Sequence, residues 1–361
     1  MYMAVIALVM SLFLSNRVNA ADPTAHRLAE PALMLVQARV QTVEADLSDG
    51  STHATLEIIK VYAGPATANG KTFQDISKVQ DLRGTSAWPE LKADEEGIWT
   101  LRDTADGLLP TSDPRVPFRT RSRARDNPRH SQMIALAEAV AEYGHAKLDN
   151  RLAVLQSLAL DKAPEVSAWA VRTIPSTASD RATGKILDSL LVESRLPRLG
   201  QIALDELLCE RQGKAWQTAE PRLKRLRSWM SDKVDEFDAT ASIRRVDLAA
   251  QKGELDDVTA TELAMTAAQN DMFTVGVRRE AIYLIGRIAQ RTKNYAGSLN
   301  FLTGQVEKSE EKDLRWAAAL TIRNFIPLDA ESAKTAQGLI DRTADPRVVA
   351  ALTEAIAKVR R

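Results

Sequence analysis

The side chains that most often bind metals or act as nucleophiles are few and widely spaced in this chain. There are four histidines and one cysteine, namely His26, His53, His130, His145 and Cys209. None falls in an H-E-x-x-H or paired-cysteine motif, the spacings that bring metal ligands together on one helix or turn. His130 and His145 would lie about 22 Å apart on a single helix, because each residue advances the helix by about 1.5 Å. The sequence therefore predicts no metal site and no cofactor.

Motifs of nucleophilic or phosphate-transfer catalysis are missing as well. The chain contains no G-x-S-x-G, no phosphate-binding glycine loop and no G-x-G-x-x-G. Carboxylate pairs such as Glu95-Glu96 and Asp256-Asp257 fall in predicted turns, where water solvates them. We predict a protein that is not an enzyme. The sequence leaves one alternative open, an enzyme whose residues are dispersed over the groove of a helical array.

One aromatic side chain is a candidate for binding a partner. Trp88 precedes Pro89 in a predicted loop. An exposed tryptophan can anchor a protein or a glycan because it offers a large apolar surface with a polar edge.

Arginines and prolines alternate over residues 114–130. We interpret this segment as a solvated linker, because a run of like charges does not bury itself. The alternative is a weak contact with an anionic surface through Arg119, Arg121, Arg123 and Arg125. Phe118 is the one aromatic residue nearby, and the chain as a whole is balanced at 48 basic and 48 acidic residues. No nucleic-acid partner is therefore expected.

Residues 1–20 have the pattern of a secretory signal peptide. An apolar run from Ala4 to Leu14 is followed by Ser15-Asn16-Arg17 and by Val18-Asn19-Ala20 at the cleavage position. The run is shorter than the ~20 apolar residues that a transmembrane helix needs. We expect an exported protein, periplasmic or extracellular, with no transmembrane span and a flexible start over residues 21–30.

Residues 31–113 predict a small β-domain, a barrel or sandwich of about five short strands. Leu33–Val43 and Thr52–Tyr62 are rich in β-forming residues and predict a hairpin. Gly70–Phe73 and Glu96–Arg102 predict two further strands, and the Asp106-Gly107 turn leads into the last one.

This order of strands and turns resembles the N-terminal β-domain of exported bacterial proteins, a domain similar to the OB-like barrel of netrin and metalloproteinase-inhibitor modules. The resemblance lies in the segments IIKVYAGPA, GKTF, EEGIWTLR and DGLLPTSDPRVPF. The N-terminal cysteines of the inhibitors are missing, so the resemblance implies the fold and not the inhibitory activity.

Residues 131–361 predict an array of antiparallel helix pairs. Three stretches carry residues at the same offsets, which line one face of a helix. They are Val277, Ala281, Leu284, Ile285 and Ile288; Leu314, Ala318, Thr321, Ile322 and Phe325; and Val348, Leu352, Ala355, Ile356 and Val359. The registers start 37 residues apart (277 to 314) and 34 residues apart (314 to 348), which is the range of α-solenoid repeats.

Fainter copies of this register start upstream at Val166, Leu199 and Ile243. The first helices of the pairs are predicted over Arg151–Leu160, Asp180–Val192, Pro221–Lys233, Val258–Ala268, Tyr295–Val306 and Ser332–Arg342. The result is about six helix pairs that must stack to bury their apolar faces, with Ser131–His145 as a capping helix.

The segments Asp313-Leu314-Arg315-Trp316-Ala317 and Val277-Arg278-Arg279-Glu280-Ala281 resemble the second-helix motif of HEAT repeats. The resemblance implies an α+β, mostly α chain in which a right-handed HEAT-type, armadillo-like α-solenoid follows the β-domain. An arginine follows the register residue at Arg244, Arg278 and Arg315. In HEAT repeats such positions often form a ladder that fixes stacking, and we interpret them so; ligand binding is the alternative.

Together these features predict a non-enzymatic scaffold or interaction protein of the bacterial cell envelope, which binds a protein or polymer on the solenoid surface. A second alternative is a modulator of a secreted hydrolase that acts through the β-domain.

Overall fold

A computed structural model of the chain describes residues 33–46, 51–78, 93–104, 107–110, 119–121 and 128–359. The predicted signal peptide (1–20), the flexible start (21–30), Trp88, Arg123 and Arg125 lie outside these ranges. An antiparallel sheet comes first in the chain and helices follow it, which confirms the predicted α+β, mostly α class.

The described strands lie in one antiparallel sheet with the order β3-β2-β1-β4-β5, and β6 pairs with β4. The strands are β1 (Leu33–Asp46), β2 (Ser51–Ala63), β3 (Thr72–Lys78), β4 (Glu96–Thr104), β5 (Gly107–Pro110) and β6 (Arg119–Arg121). The hairpin expected from the first two apolar runs is β1 and β2, paired from Asp46 with Ser51 to Leu35 with Ala63.

The core of the sheet follows the period of two that a strand imposes, because successive side chains point to opposite faces. Met34, Val36, Ala38 and Val40 of β1 are all buried in one apolar cluster. Ala54, Leu56, Ile58, Phe73, Trp99 and Leu101 join it from β2, β3 and β4, and Ala68 joins it from the turn between β2 and β3. Phe73 and Trp99 meet edge to face with their ring centroids 6.1 Å apart.

Part of the predicted arginine-rich linker belongs to the sheet instead. Arg119 and Arg121 lie in β6, opposite Trp99 and Gly97 of β4. The segment predicted as a linker therefore contains a short strand at these residues. An unpaired strand edge offers main-chain N–H and C=O groups, and a short basic segment can pair with them.

The helices divide between two compact units, residues up to Leu204 and residues from Asp205 onward. The sheet shares the first unit with α1 (Pro128–His145), α2 (Arg151–Ala159), α3 (Pro164–Thr177) and α4 (Asp180–Leu191). The sequence predicted the division at residues 114–130, between the sheet and the helices. The observed division lies later in the chain, and α1 packs on β2 and β4. Lys60 of β2 pairs with Glu138 of α1 at 2.8 Å.

The division falls within α5 (Arg198–Gln212), and the second unit contains the remaining helices. They are α6 (Lys214–Gln217), α7 (Glu220–Ser231), α8 (Glu236–Gln251), α9 (Asp257–Gln269), α10 (Val275–Thr292), α11 (Ala296–Lys308), α12 (Lys312–Phe325), α13 (Ala330–Arg342) and α14 (Pro346–Val359). Each predicted first helix and each register overlaps one of the helices observed in the two units.

Helices in the second unit also contact one another between pairs. The second helices α8, α10, α12 and α14 touch in that order, and α7 touches α9 as α11 touches α13. The register residues of α10, α12 and α14 are buried, except that the Val359 side chain is 50% exposed in the last turn of α14. None of the helices within residues 128–359 is long and apolar enough to span a bilayer.

Candidate functional site

Arg315, singled out by the repeat register, joins two successive helix pairs. Its guanidinium donates to the carbonyl of Ser309 at 2.8 Å and to the carboxylate of Asp345, the residue before α14, at 3.3 Å. A second contact runs the opposite way, from Arg347 of α14 to Asp313 of α12 at 3.6 Å. These reciprocal pairs tie α12 to α14.

The other two arginines of the register make different contacts. Arg278 donates to the carbonyl of Ala268 at 2.9 Å and pairs with Asp271 at 3.1 Å, so it closes the turn within its own helix pair. Arg244 is half-buried on α8. The three predicted positions therefore do not gather into one site.

A buried ionic cluster in the second unit was not predicted. Its centre is Asp205, which is 1% exposed and accepts hydrogen bonds on both oxygens. The indole of Trp216 donates to Oδ1 at 2.9 Å, and the guanidinium of Arg222 donates to the same oxygen at 2.8 Å. Arg245 donates to Oδ2 at 2.9 Å. One carboxylate thus joins α5, α6, α7 and α8.

Arg245 extends the cluster toward the turn after α8. Its Nη2 donates to the Glu254 carboxylate at 2.6 Å and to the sulfur of Cys209 at 3.4 Å. Arg222 donates to the main-chain carbonyls of Gln217 and Glu254 at 3.0 and 2.7 Å. Two guanidinium groups therefore face two carboxylates, which is the pairing that buried charges require.

Burial and neighbouring charges shift the pKa values of Asp205 and Cys209 in this cluster. Burial raises the pKa of Asp205, but Arg245 and Arg222 outweigh it, so that its pKa lies below the usual range. Burial and the nearby Asp205 charge raise the pKa of the Cys209 thiol to about 12. A protonated thiol is a poor nucleophile. The cluster fixes helices and does not suit catalysis.

The helices α8, α10, α12 and α14 touch in that order, and we call their solvent side the second-helix face. Between α10 and α12 it holds a groove of about 220 Å³ lined by Tyr283, Gly286, Arg287, Gln290, Thr321 and Asn324. Arg287 pairs with Asp247 of α8 at 2.9 Å while its side chain stays 43% exposed. The lining offers hydrogen-bond donors and acceptors, and none of its side chains is a general base near neutral pH.

Two aromatic side chains lie on this face. Trp316 of α12 is half-buried, and the guanidinium carbon of Arg347 sits 4.9 Å from the centroid of its ring. Tyr283 is also half-buried, and burial raises the pKa of its hydroxyl, so it is a neutral donor at physiological pH. Aromatic and arginine side chains are the types that most often carry the binding energy of an interface.

An apolar slot of about 370 Å³ lies in the last helix pair. It is lined by Ile326, Ala333, Lys334, Gln337, Gly338, Ile356 and Val359. Across the described ranges of the chain, no group of three or more His, Cys, Asp and Glu side chains is arranged to hold a metal ion.

No protein-family model, curated protein or solved structure matches this chain. The resemblances to HEAT repeats and to OB-like barrels therefore stay predictions.

Proposed function

We propose that this chain is a non-enzymatic interaction protein of the bacterial cell envelope, which binds a protein or polymer partner through the second-helix face. One observation carries the proposal: successive second helices contact one another and present Tyr283, Arg287 and Trp316 on their solvent side. Such side chains on rigid, neighbouring helices provide anchors that lose little conformational entropy on binding.

The proposed framework is a right-handed HEAT-type solenoid that follows an OB-like barrel. The succession of contacts from α8 to α14 supports a stacked array. The close approach of β3 and β5, at the two ends of the strand order, supports closure of the sheet. Export rests on the signal-like pattern of residues 1–20.

Formaldehyde cross-linking in cells tests the use of this face, because the chain offers two matched arginines. Arg287 of α10 and Arg342 of α13 each pair with an acid of the preceding repeat, at 2.9 and 2.7 Å, but only Arg287 lies on the second-helix face. We expect Arg287→Ala to lose the cross-linked complexes of the full chain and Arg342→Ala to keep them. Equal yields from both variants would reject the proposed face.

Export is tested separately by fractionation of cells that produce the full chain. Recovery in the periplasm or the medium, with the N-terminus at about residue 21 as the cleavage pattern predicts, is the expected result. Recovery in the cytoplasm with residues 1–20 retained would reject the envelope location.

A further inference from the structure

The groove between α10 and α12 has hydrogen-bond donors and acceptors that suit the main chain of a bound polypeptide. Gln290 and Asn324 are exposed on its two helices, and each carboxamide has two donors and an acceptor. A peptide bond has one donor and one acceptor in the same plane, so a carboxamide can bind it from either side. Tyr283 adds a neutral hydroxyl.

The floor of the groove is formed by Gly286 and Thr321, two buried residues that pack closely against each other. Gly286 has no side chain, and a Cβ atom there would lie 2.6 Å from Cγ2 of Thr321. The hydroxyl of Thr321 donates to the carbonyl of Ala317 at 2.9 Å, so this side chain is already satisfied. The polar groups that can face a ligand therefore lie on the walls of the groove, on Gln290 and Asn324. The floor has only a glycine and a threonine whose hydroxyl is already hydrogen-bonded.

Arg287 gives the groove a preference for negative charge. Asp247 accepts from its Nε at 2.9 Å and from its Nη2 at 2.9 Å, through the same oxygen. A guanidinium has five N–H donors in a fixed fork, so a second carboxylate can bind at the Nη1–Nη2 edge.

The neighbouring tryptophan favours a polypeptide over a glycan. Sugars stack on open aromatic faces, but the ring of Trp316 has the guanidinium of Arg347 over it at 4.9 Å. A polypeptide needs no such open face, because its main chain is recognised by hydrogen bonds and its side chains by charge.

We propose that this groove binds an extended polypeptide segment with an acidic side chain: Gln290 and Asn324 hydrogen-bond its main chain and Arg287 pairs with its carboxylate. This inference rests on the proposed function and specifies the class of partner. The side chains of Arg287, Gln290 and Asn324 are exposed, so replacing one of them leaves the packing of α10 and α12 in place.

Selection of short random peptides displayed on phage, with the full chain as bait, tests this inference. We expect enriched peptides to carry Asp or Glu, and their affinity to fall about tenfold on Gln290→Ala or Asn324→Ala, as the loss of one good hydrogen bond implies. Arg287→Ala should remove the preference for acidic peptides. Asn300→Ala, an exposed amide on α11, is the matched control and should change nothing.

Three results would overturn the inference. They are no enrichment, enrichment of peptides without acidic residues, and affinities that the groove substitutions leave unchanged. Polygalacturonate is the competing probe, since it has carboxylates but no peptide bonds. If it binds in a groove-dependent way and peptides do not, the partner is a glycan and the proposed function stands. The proposed function itself is rejected by a different result, equal yields of cross-linked complexes from Arg287→Ala and Arg342→Ala.

Discussion

Arg245 donates from Nε to Oδ2 of Asp205 at 2.9 Å, and the two residues are 2% and 1% exposed. They are 40 residues apart in sequence and lie on α8 and α5. Asp205 also accepts from Arg222 of α7. The Asp205 carboxylate therefore holds α7 and α8 against α5, and Trp216 adds α6.

Replacement of Asp205 should destabilise the second unit strongly. Asp205→Ala leaves Arg222 and Arg245 buried without their shared carboxylate, and breaking such a buried pair costs about 3–5 kcal/mol of unfolding free energy. Urea unfolding followed by tryptophan fluorescence measures the loss, because Trp216 lies in the cluster. Glu307→Ala removes the more exposed pair with Arg342 and should cost less than about 1 kcal/mol. Similar losses in both variants would show that the cluster does not stabilise the unit.

Acid should weaken the fold through carboxylates such as Asp345. Burial raises its pKa, but hydrogen bonds from the Arg347 N–H and the Arg315 guanidinium outweigh burial and lower the pKa below its ordinary value. The unfolded chain then binds the proton first, so the stabilisation is complete above the ordinary carboxyl pKa and is lost as the pH falls below it. We expect Asp345→Asn to lose less stability than the wild type between about pH 5 and about pH 2. An unchanged pH dependence of the urea midpoint would contradict this.

Cys209 should be inert in the folded chain. Its side chain is buried and its pKa is raised to about 12, so neither access nor ionisation favours attack. Ellman's reagent at mildly alkaline pH should react with it slowly in buffer and quickly in concentrated urea. Complete reaction of the native chain at the rate seen in urea would show that the cluster opens readily.

Gly286 should be required for the spacing of α10 and α12. A Cβ atom there would lie 2.6 Å from Cγ2 of Thr321, so Gly286→Ala should destabilise by about 1–3 kcal/mol through overpacking. Thr321→Ser removes the methyl group and keeps the hydroxyl, and in combination it should restore stability. Gly297→Ala on α11 meets nothing within 4 Å and is the control. Failure of the serine to rescue would place the strain elsewhere.

The helices could be predicted from the sequence because their register is local. Val277, Leu314 and Val348 start the same pattern, and each is at most 1% exposed. The spacing of apolar residues along one helix face depends on residues within four positions of each other, so it is visible in the chain itself. The β1–β2 hairpin is local in the same sense.

The buried cluster could not be predicted because its contacts join distant residues. The register pointed to Arg244, which is half-buried, whereas the adjacent Arg245 is turned toward Asp205. Adjacent residues differ by about 100° around a helix, so only the position of a partner helix decides which of them is buried. The one signal in the sequence was Asp205 itself, a carboxylate among Ile202, Leu204 and Leu208.

Site-specific photo-cross-linking in cells tests the central claim, partner binding through the second-helix face, most directly. A photoreactive phenylalanine analogue is placed at Leu320, a half-buried position on α12 outside the groove, or at Asn300, an exposed position on α11. We predict a cross-linked adduct of defined size from position 320 and little or none from position 300. Adducts in equal yield from both positions, or from position 300 alone, would contradict it.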